Sequence, residues 1–369
     1  MTCRIPMFIC LSWALSIACH GQRLTPGPVQ NSVDSLLQTI YNDQCPGISI
    51  AIVENGKPSF KKSYGARDLQ AKTMLDSTSN FNIGSLTKQF TALAILQLDE
   101  AKKLSLEDPI SKFFPAFNKK IADVITVKEL LTHSSGIVDH DELTNTRNMK
   151  HAHCADVLAA VRGSDSTYFP PGTHFQYSNT AYCLLALIIE KVSGLSYPQY
   201  LEQNIFEPLG MKQTIVWSEY TKIPKEAVGY TYDSVTSNFK RSGADENIFF
   251  STEGDGGIYT SINDYLKWFD GLQTARITSR KLIDQARSSE FVIDKEKHLS
   301  YGYGWFINMS DMPQLVYHPG SNGGFRAYSY SIPAKNFLII ILSNRDDIDL
   351  EKLVNNIYHI LLAEGNIPH

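Results

Sequence analysis

The chain has 369 residues, enough for one large or two ordinary domains, and 43% of them are apolar, which supports a sizeable buried core. Its 34 basic and 38 acidic residues leave a formal charge of -4. There is no basic block of the kind that holds nucleic acid electrostatically, so nucleic acid is not an expected partner.

Residues 1–19 carry Arg4 near the start and then an apolar run interrupted only by Pro6, Ser12 and Ser16. This pattern predicts a secretory leader, and with it a secreted or periplasmic location. Ala18-Cys19 also resembles a bacterial lipoprotein cleavage site, with the usual leucine one place early at Leu15, which makes Cys19 a candidate lipid anchor. No later stretch approaches the about twenty apolar residues of a membrane-spanning helix. Residues 20–30, with their Pro/Gly-bearing joint, read as a linker, and 31–365 as a single domain. Of the cysteines, Cys3 and Cys10 belong to the leader, and the spacing of Cys19, Cys45, Cys154 and Cys183 fits neither a disulfide framework nor a zinc pattern. His151, His153 and Cys154 lie close together but lack a usual metal-ligand spacing, and read as a solvated helix start.

Residues 33–41 have helical periodicity, through Val33, Leu36, Leu37, Ile40 and Tyr41. Residues 48–53 form a β-branched run, Asn55-Gly56 supplies a tight hairpin turn, and 59–64 is the return strand. Ser85 follows, then Lys88 and an apolar helix that looks buried. Thr126 and Glu129 are spaced as a capping box, with Gly136 as the expected helix stop and His133 as a partner for free carbonyls at that helix end. Pro170-Pro171-Gly172 breaks the chain, Tyr177 and Asn179 fall on a loop, and 181–192 is a buried helix ended by Ser193-Gly194. Residues 200–282 mix short helices, such as 262–272, with loops, and Gly254-Asp255-Gly256-Gly257 marks a close backbone approach or tight turn. Strands are expected at 303–308, 315–317, 325–332 and 337–342, with a turn at 333–336 and a closing helix over 350–362. The layout predicts an α+β fold: one antiparallel sheet from both chain ends, flanked by helices, with a mostly helical insertion over about 85–285.

Ser85 and Lys88 are the chemical centre of this pattern. A serine hydroxyl is a weak nucleophile until a neighbouring base takes its proton, and a helical spacing of three brings Lys88 within reach. Three stretches together resemble the serine β-lactamase and penicillin-binding family, in particular its class C and D-alanyl-D-alanine carboxypeptidase-like branch. They are Ser85-Leu86-Thr87-Lys88, Tyr177-Ser178-Asn179, and His318-Pro319-Gly320 at the expected start of a late strand. Further agreement comes from residues 131–136, Glu207-Pro208-Leu209-Gly210-Met211, Asp255-Gly256-Gly257-Ile258-Tyr259 and Tyr301-Gly302-Tyr303-Gly304-Trp305, so the likeness runs from about Val33 to the C-terminal helix.

The resemblance implies a β-lactamase-like catalytic domain and a metal-independent serine hydrolase that acts through an acyl-enzyme on Ser85, without cofactors. Lys88 or a deprotonated Tyr177 would be the base, and Tyr177 would return a proton to the leaving group. Asn179 would orient Lys88 and a substrate amide, and backbone N–H groups of Ser85 and Ser321 would hold the oxyanion, next to Gly320. The third motif departs from the family's Lys-Thr-Gly: His318 keeps a donor and Pro319 has none. Arg326, on the next strand, is a candidate replacement anchor for an anionic group. The expectation is therefore a peptidase- or esterase-like enzyme, not an efficient β-lactamase, acting on a small-molecule or peptide substrate of cell-wall character. The competing expectation is a catalytically silent protein of the same fold that binds penicillin or cell-wall fragments.

Overall fold

The computed structural model describes residues 28–142, 151–242, 248–310 and 313–364. The leader, the Cys19 anchor and residues 20–27 of the linker lie outside the described residues. The first helix, α1 (Pro28–Ile40), already begins within the expected linker. It leads into β1 (Ile48–Glu54) and β2 (Lys57–Tyr64), joined by Asn55 and Gly56 with φ of 51° and 75°, the positive pair that a two-residue hairpin prefers.

At the other end of the chain come β3 (Phe291–Asp294), β4 (Leu299–Tyr301), β5 (Phe306–Asn308), β6 (Leu315–Asn322), β7 (Phe325–Ile332) and β8 (Phe337–Ser343). They continue into the N-terminal hairpin as one antiparallel eight-stranded sheet, in the order β3-β4-β5-β6-β7-β8-β1-β2. The seam joins the chain ends: Ile52 of β1 lies opposite Ile339 of β8. Both strands are buried on two faces, so their sequences are continuous apolar runs without alternation. Ile48, Ile50, Ile339 and Ile341 pack on α1 and the C-terminal helix. Ala51, Val53, Leu338, Ile340 and Leu342 face the inserted region.

That region is mostly helical. Its principal helices are α2 (Thr87–Glu100), α3 (Val127–Leu131), α4 (Cys154–Val161), α5 (Asn179–Ser193) and α6 (Ile262–Gln273); α7 (Leu350–Ala363) closes the outer layer. Eleven of the 14 residues of α2 are buried, so it runs through the core and has no exposed polar face. Phe90 stacks on Trp268 of α6 at 4.0 Å, and the buried Gln89 accepts from Tyr265 Oη and Trp268 Nε1.

Several sequence expectations shift. The strand expected over 303–308 shortens to Phe306–Asn308, because Gly302 N donates to Trp305 O and turns the chain first. Strands β3 and β4 were missed; both are short, partly polar segments, β3 at the sheet edge and β4 beside it, with too little periodicity to read. The strand expected over 315–317 runs on to Asn322, so His318-Pro319-Gly320 lies inside β6, not at its start. Proline is tolerated there because β5 pairs with β6 only through Tyr317, leaving a free edge beyond it. The capping box forms, Thr126 N donating to Glu129 Oε2 at 2.6 Å. Its helix ends at Leu131, however, before Gly136, and His133 takes the left-handed conformation with φ 56°.

Asn344, just after β8, fastens the sheet to its surroundings. Its buried Oδ1 accepts from Gly47 N at 2.7 Å, and its Nδ2 donates to Ala66 O at 3.1 Å and Val228 O at 2.8 Å. Asn344→Ala leaves these backbone groups unpaired, each at about 1–3 kcal/mol. The expected outcome is a loss of roughly 3 kcal/mol or more, read as a lower urea midpoint at unchanged slope; a shift under about 1 kcal/mol would contradict this role.

Candidate active site

The site is built where β6 lies against the turn that precedes α2. Gly84–Leu86 form a 3-10 turn and α2 starts at Thr87, so Ser85 sits on the turn and Lys88 in the first helical turn. The spacing of three still aligns them: Lys88 Nζ lies 3.2 Å from Ser85 Oγ. Two glycines make the approach of β6 possible. Gly84 has φ 50°, and a Cβ on it would lie 2.6 Å from Ser321 N; a Cβ on Gly320 would lie 2.2 Å from Ile83 O.

Lys88 is fully buried. Besides Ser85, its Nζ reaches Asn179 Oδ1 at 2.9 Å and the Asp255 carbonyl at 2.9 Å. The glycine-rich run at 254–257 thus brings a backbone acceptor to the lysine. Sequence reasoning singled out the run but not its partner, since a carbonyl carries no residue-type signal. Asn179 is the first residue of α5, where a loop position was expected; Ser178 is the cap, its Oγ accepting from Ala181 N. Tyr177 remains on the loop. Its ring centroid is 4.7 Å from Lys88 Nζ, and its hydroxyl is buried with no hydrogen-bond partner among the described residues. Tyr177 also lines the cavity that opens over these groups.

His318 is placed differently from the expectation. It is 1% exposed, with Nδ1 2.6 Å from the Pro319 carbonyl and Nε2 3.1 Å from Tyr301 Oη. Burial, reinforced by the Lys88 charge, pushes its pKa down to about 3, so the ring is neutral. Both nitrogens of His318 are thus engaged within the protein, while the residue also forms part of the cavity wall. His133 is likewise not a partner for helix-end carbonyls. Its Nδ1 accepts from Ser178 N at 3.0 Å and its Nε2 lies 3.2 Å from Tyr301 Oη. Burial, then the Lys88 charge, holds its pKa well below the ordinary imidazole range.

A cavity of about 590 Å³ opens over these groups, lined by Ser85, Tyr177, Gly320, Ser321 and Arg326, with Asp349 and Glu351 among its other lining residues. Arg326 is the only lysine or arginine among the described lining residues, and it donates to Ser321 Oγ. The thiol of Cys154 is turned away from His151 and His153, into the core, where it donates to Glu253 O at 3.2 Å.

Similarity to known proteins agrees with this geometry. The Beta-lactamase family model matches residues 30–364. Protein flp of Staphylococcus aureus (strain MW2) is 31% identical over 337 residues, covering 89% of this chain and 66% of that protein. The chain thus spans just under two thirds of that relative's length. Penicillin-binding protein 4* of Bacillus subtilis (strain 168) is 28% identical, covering 90% of this chain and 76% of its own. Among solved structures, the octameric penicillin-binding protein homologue from Pyrococcus abyssi superposes with a TM-score of 0.77 at 30% identity, covering 91% of this chain and 77% of its own. A match that spans the Ser85 turn, the tyrosine loop and the strand that closes on them places this chain in the beta-lactamase family, with the α+β fold shared by penicillin-binding proteins.

Proposed function

We propose that the chain is a secreted serine hydrolase that cleaves an amide or ester bond through an acyl-enzyme on Ser85. The observation that carries this reading is the Lys88 nitrogen. Two of its three partners, Asn179 Oδ1 and the Asp255 carbonyl, are held as acceptors, and the third direction faces Ser85 Oγ. In the unprotonated form of Lys88, the amine lone pair on that side receives the hydroxyl proton as Oγ adds to the substrate carbonyl. The oxyanion is met by the N–H groups of Ser85 and Ser321, which the close approach of β6 to the turn supports. Tyr177, with its unpartnered hydroxyl, protonates the departing amine or alcohol and regains a proton from Lys88. Water then attacks the acyl-enzyme, the same groups moving its proton in reverse. The leader pattern in residues 1–19 supports secretion, with Cys19 as the anchor if the lipoprotein site is used.

The substrate side follows from what β6 lacks. His318 is neutral and internally bonded, Pro319 has no donor, and Arg326 beside Ser321 is the remaining cation. This arrangement favours peptides or esters with an anionic group over β-lactams that rely on a lysine and a hydroxyl in the third motif.

Intact-mass analysis with a fluorophosphonate probe tests the nucleophile. One adduct mapping to Ser85 is expected on the wild type and none on Ser85→Ala, with adduct formation on Lys88→Ala slowed at least about a hundredfold. Well-folded wild type that stays unmodified would instead make a silent binding protein the leading reading. For substrate class, D-Ala-D-Ala peptides and p-nitrophenyl esters are expected to turn over faster than nitrocefin. Arg326→Ala should lower kcat/KM on a carboxylate-bearing peptide about ten- to a hundredfold more than on a neutral ester, the equivalent of one charged hydrogen bond. Equal losses on both substrates would remove Arg326 from anion binding.

A further inference from the structure

Two stretches of the family resemblance have no role in the mechanism above: residues 131–136, which contain His133, and the Tyr301–Trp305 segment. The structure joins them. Ser178 N donates to His133 Nδ1 at 3.0 Å, His133 Nε2 lies 3.2 Å from Tyr301 Oη, Tyr301 Oη lies 3.1 Å from His318 Nε2, and His318 Nδ1 lies 2.6 Å from the Pro319 carbonyl. His133 and Tyr301 are fully buried and His318 is 1% exposed, so water does not compete for these bonds.

Both ends of the series are backbone groups of fixed polarity. An amide N–H can only donate and a carbonyl can only accept. The Ser178 amide therefore requires an unprotonated Nδ1 on His133, which places that ring's proton on Nε2, pointing at Tyr301. The Pro319 carbonyl requires the His318 proton on Nδ1, which leaves Nε2 to accept from the Tyr301 hydroxyl. The tyrosine accepts from one ring and donates to the other. The two histidines are held in opposite tautomers, and every donor has an acceptor.

The ends of the series adjoin the catalytic groups. Ser178 lies between Tyr177 and Asn179, and Pro319 precedes Gly320 and Ser321. Tyr177 also packs directly on the series, its ring centroid 4.3 Å from that of His133. We infer that this buried series is a strut that sets the spacing between the tyrosine loop and β6, so that His133 and Tyr301 are positioning residues for catalysis.

The strut works only with neutral rings. A second proton on His133 would face the Ser178 amide. A second proton on His318 would take away the acceptor that His318 offers the Tyr301 hydroxyl, set donor against donor there and turn the hydroxyl to Tyr182, breaking the series. The groups around the rings oppose protonation as well: Lys88, Tyr177 and Tyr182 stand near His133, Lys88 and Tyr177 near His318, and no carboxylate pairs with either ring among the described residues. Since a histidine ordinarily titrates near pH 6.5 when unfolded, acidification below about that value favours states in which these rings are released.

Long-range ¹H–¹⁵N correlation spectra of histidine-labelled wild type read the strut directly. The expected result is one ring protonated on Nε2 and one on Nδ1, assigned through the variants, with neither titrating between roughly pH 8 and 5. Tyr301→Phe keeps the ring but removes the hydroxyl, leaving His318 Nε2 free to take a proton. On a p-nitrophenyl ester it should lower kcat about tenfold or more, with less change in KM, and move the acid limb of kcat to higher pH. His133→Gln can accept from Ser178 and donate to Tyr301 without titrating, and should recover most of kcat. The inference is overturned if both rings show the same tautomer, or if Tyr301→Phe keeps the wild-type pH profile and loses activity only in proportion to its unfolded fraction. The kinetic arm rests on the Ser85 hydrolase reading; wild type that turns over nothing would overturn that reading, while the tautomer spectra would still decide the strut.

Discussion

A buried lysine nitrogen with no carboxylate partner among the described residues is the constraint around which the rest is arranged. Lys88 Nζ lies inside the core with oxygens from three separate segments around it: the Ser85 turn, the start of α5 and the glycine-rich turn at 254–257. Removing an amine from water is costly unless its hydrogen-bonding directions are filled, so these segments must converge if the core is to close. Packing and chemistry share one solution here, because the residue that satisfies the lysine on its open side is Ser85.

The sheet provides the other boundary. Its central strands are apolar on both faces, and the core layers they separate pull the chain ends and the inserted region onto opposite sides. The Gly84–Leu86 turn belongs to the inserted layer, whereas β6 belongs to the sheet, and the cavity forms along the line where they meet. Gly84 and Gly320 allow the backbones to touch there. A site between two layers is sensitive to their relative position, which gives a physical reason for a rigid polar connection between the tyrosine loop and β6.

The third motif shows how one substitution pattern alters the logic of a shared fold. A histidine at position 318 looks from the sequence like a weaker cation offered to the substrate. In the folded protein, burial and the nearby lysine keep it neutral, and its two nitrogens bind Pro319 and Tyr301. The positive charge of this wall of the cavity comes from Arg326 on the neighbouring strand, bonded to Ser321. The cation of this wall thus sits one strand away from the third motif, in a cavity that Asp349 and Glu351 also line.

What could be read from the sequence alone was whatever depends on near neighbours. The hairpin at Asn55-Gly56, the Thr126–Glu129 capping box, the buried helix α2 and the Ser85–Lys88 pair all rest on spacings of one to four residues, where geometry follows from backbone periodicity. The α+β arrangement with strands from both ends was legible too, because runs such as 337–342 are too apolar to be exposed. Tertiary structure alone decided the rest. The Asp255 carbonyl that meets Lys88 has no side chain to announce it, the short strands β3 and β4 have too little pattern, and His133 is brought to Tyr301, and through it to His318, across 168 residues of chain. The protonation of those histidines is set by burial and by partners of fixed polarity. Both are properties of a three-dimensional neighbourhood, and no local spacing encodes them.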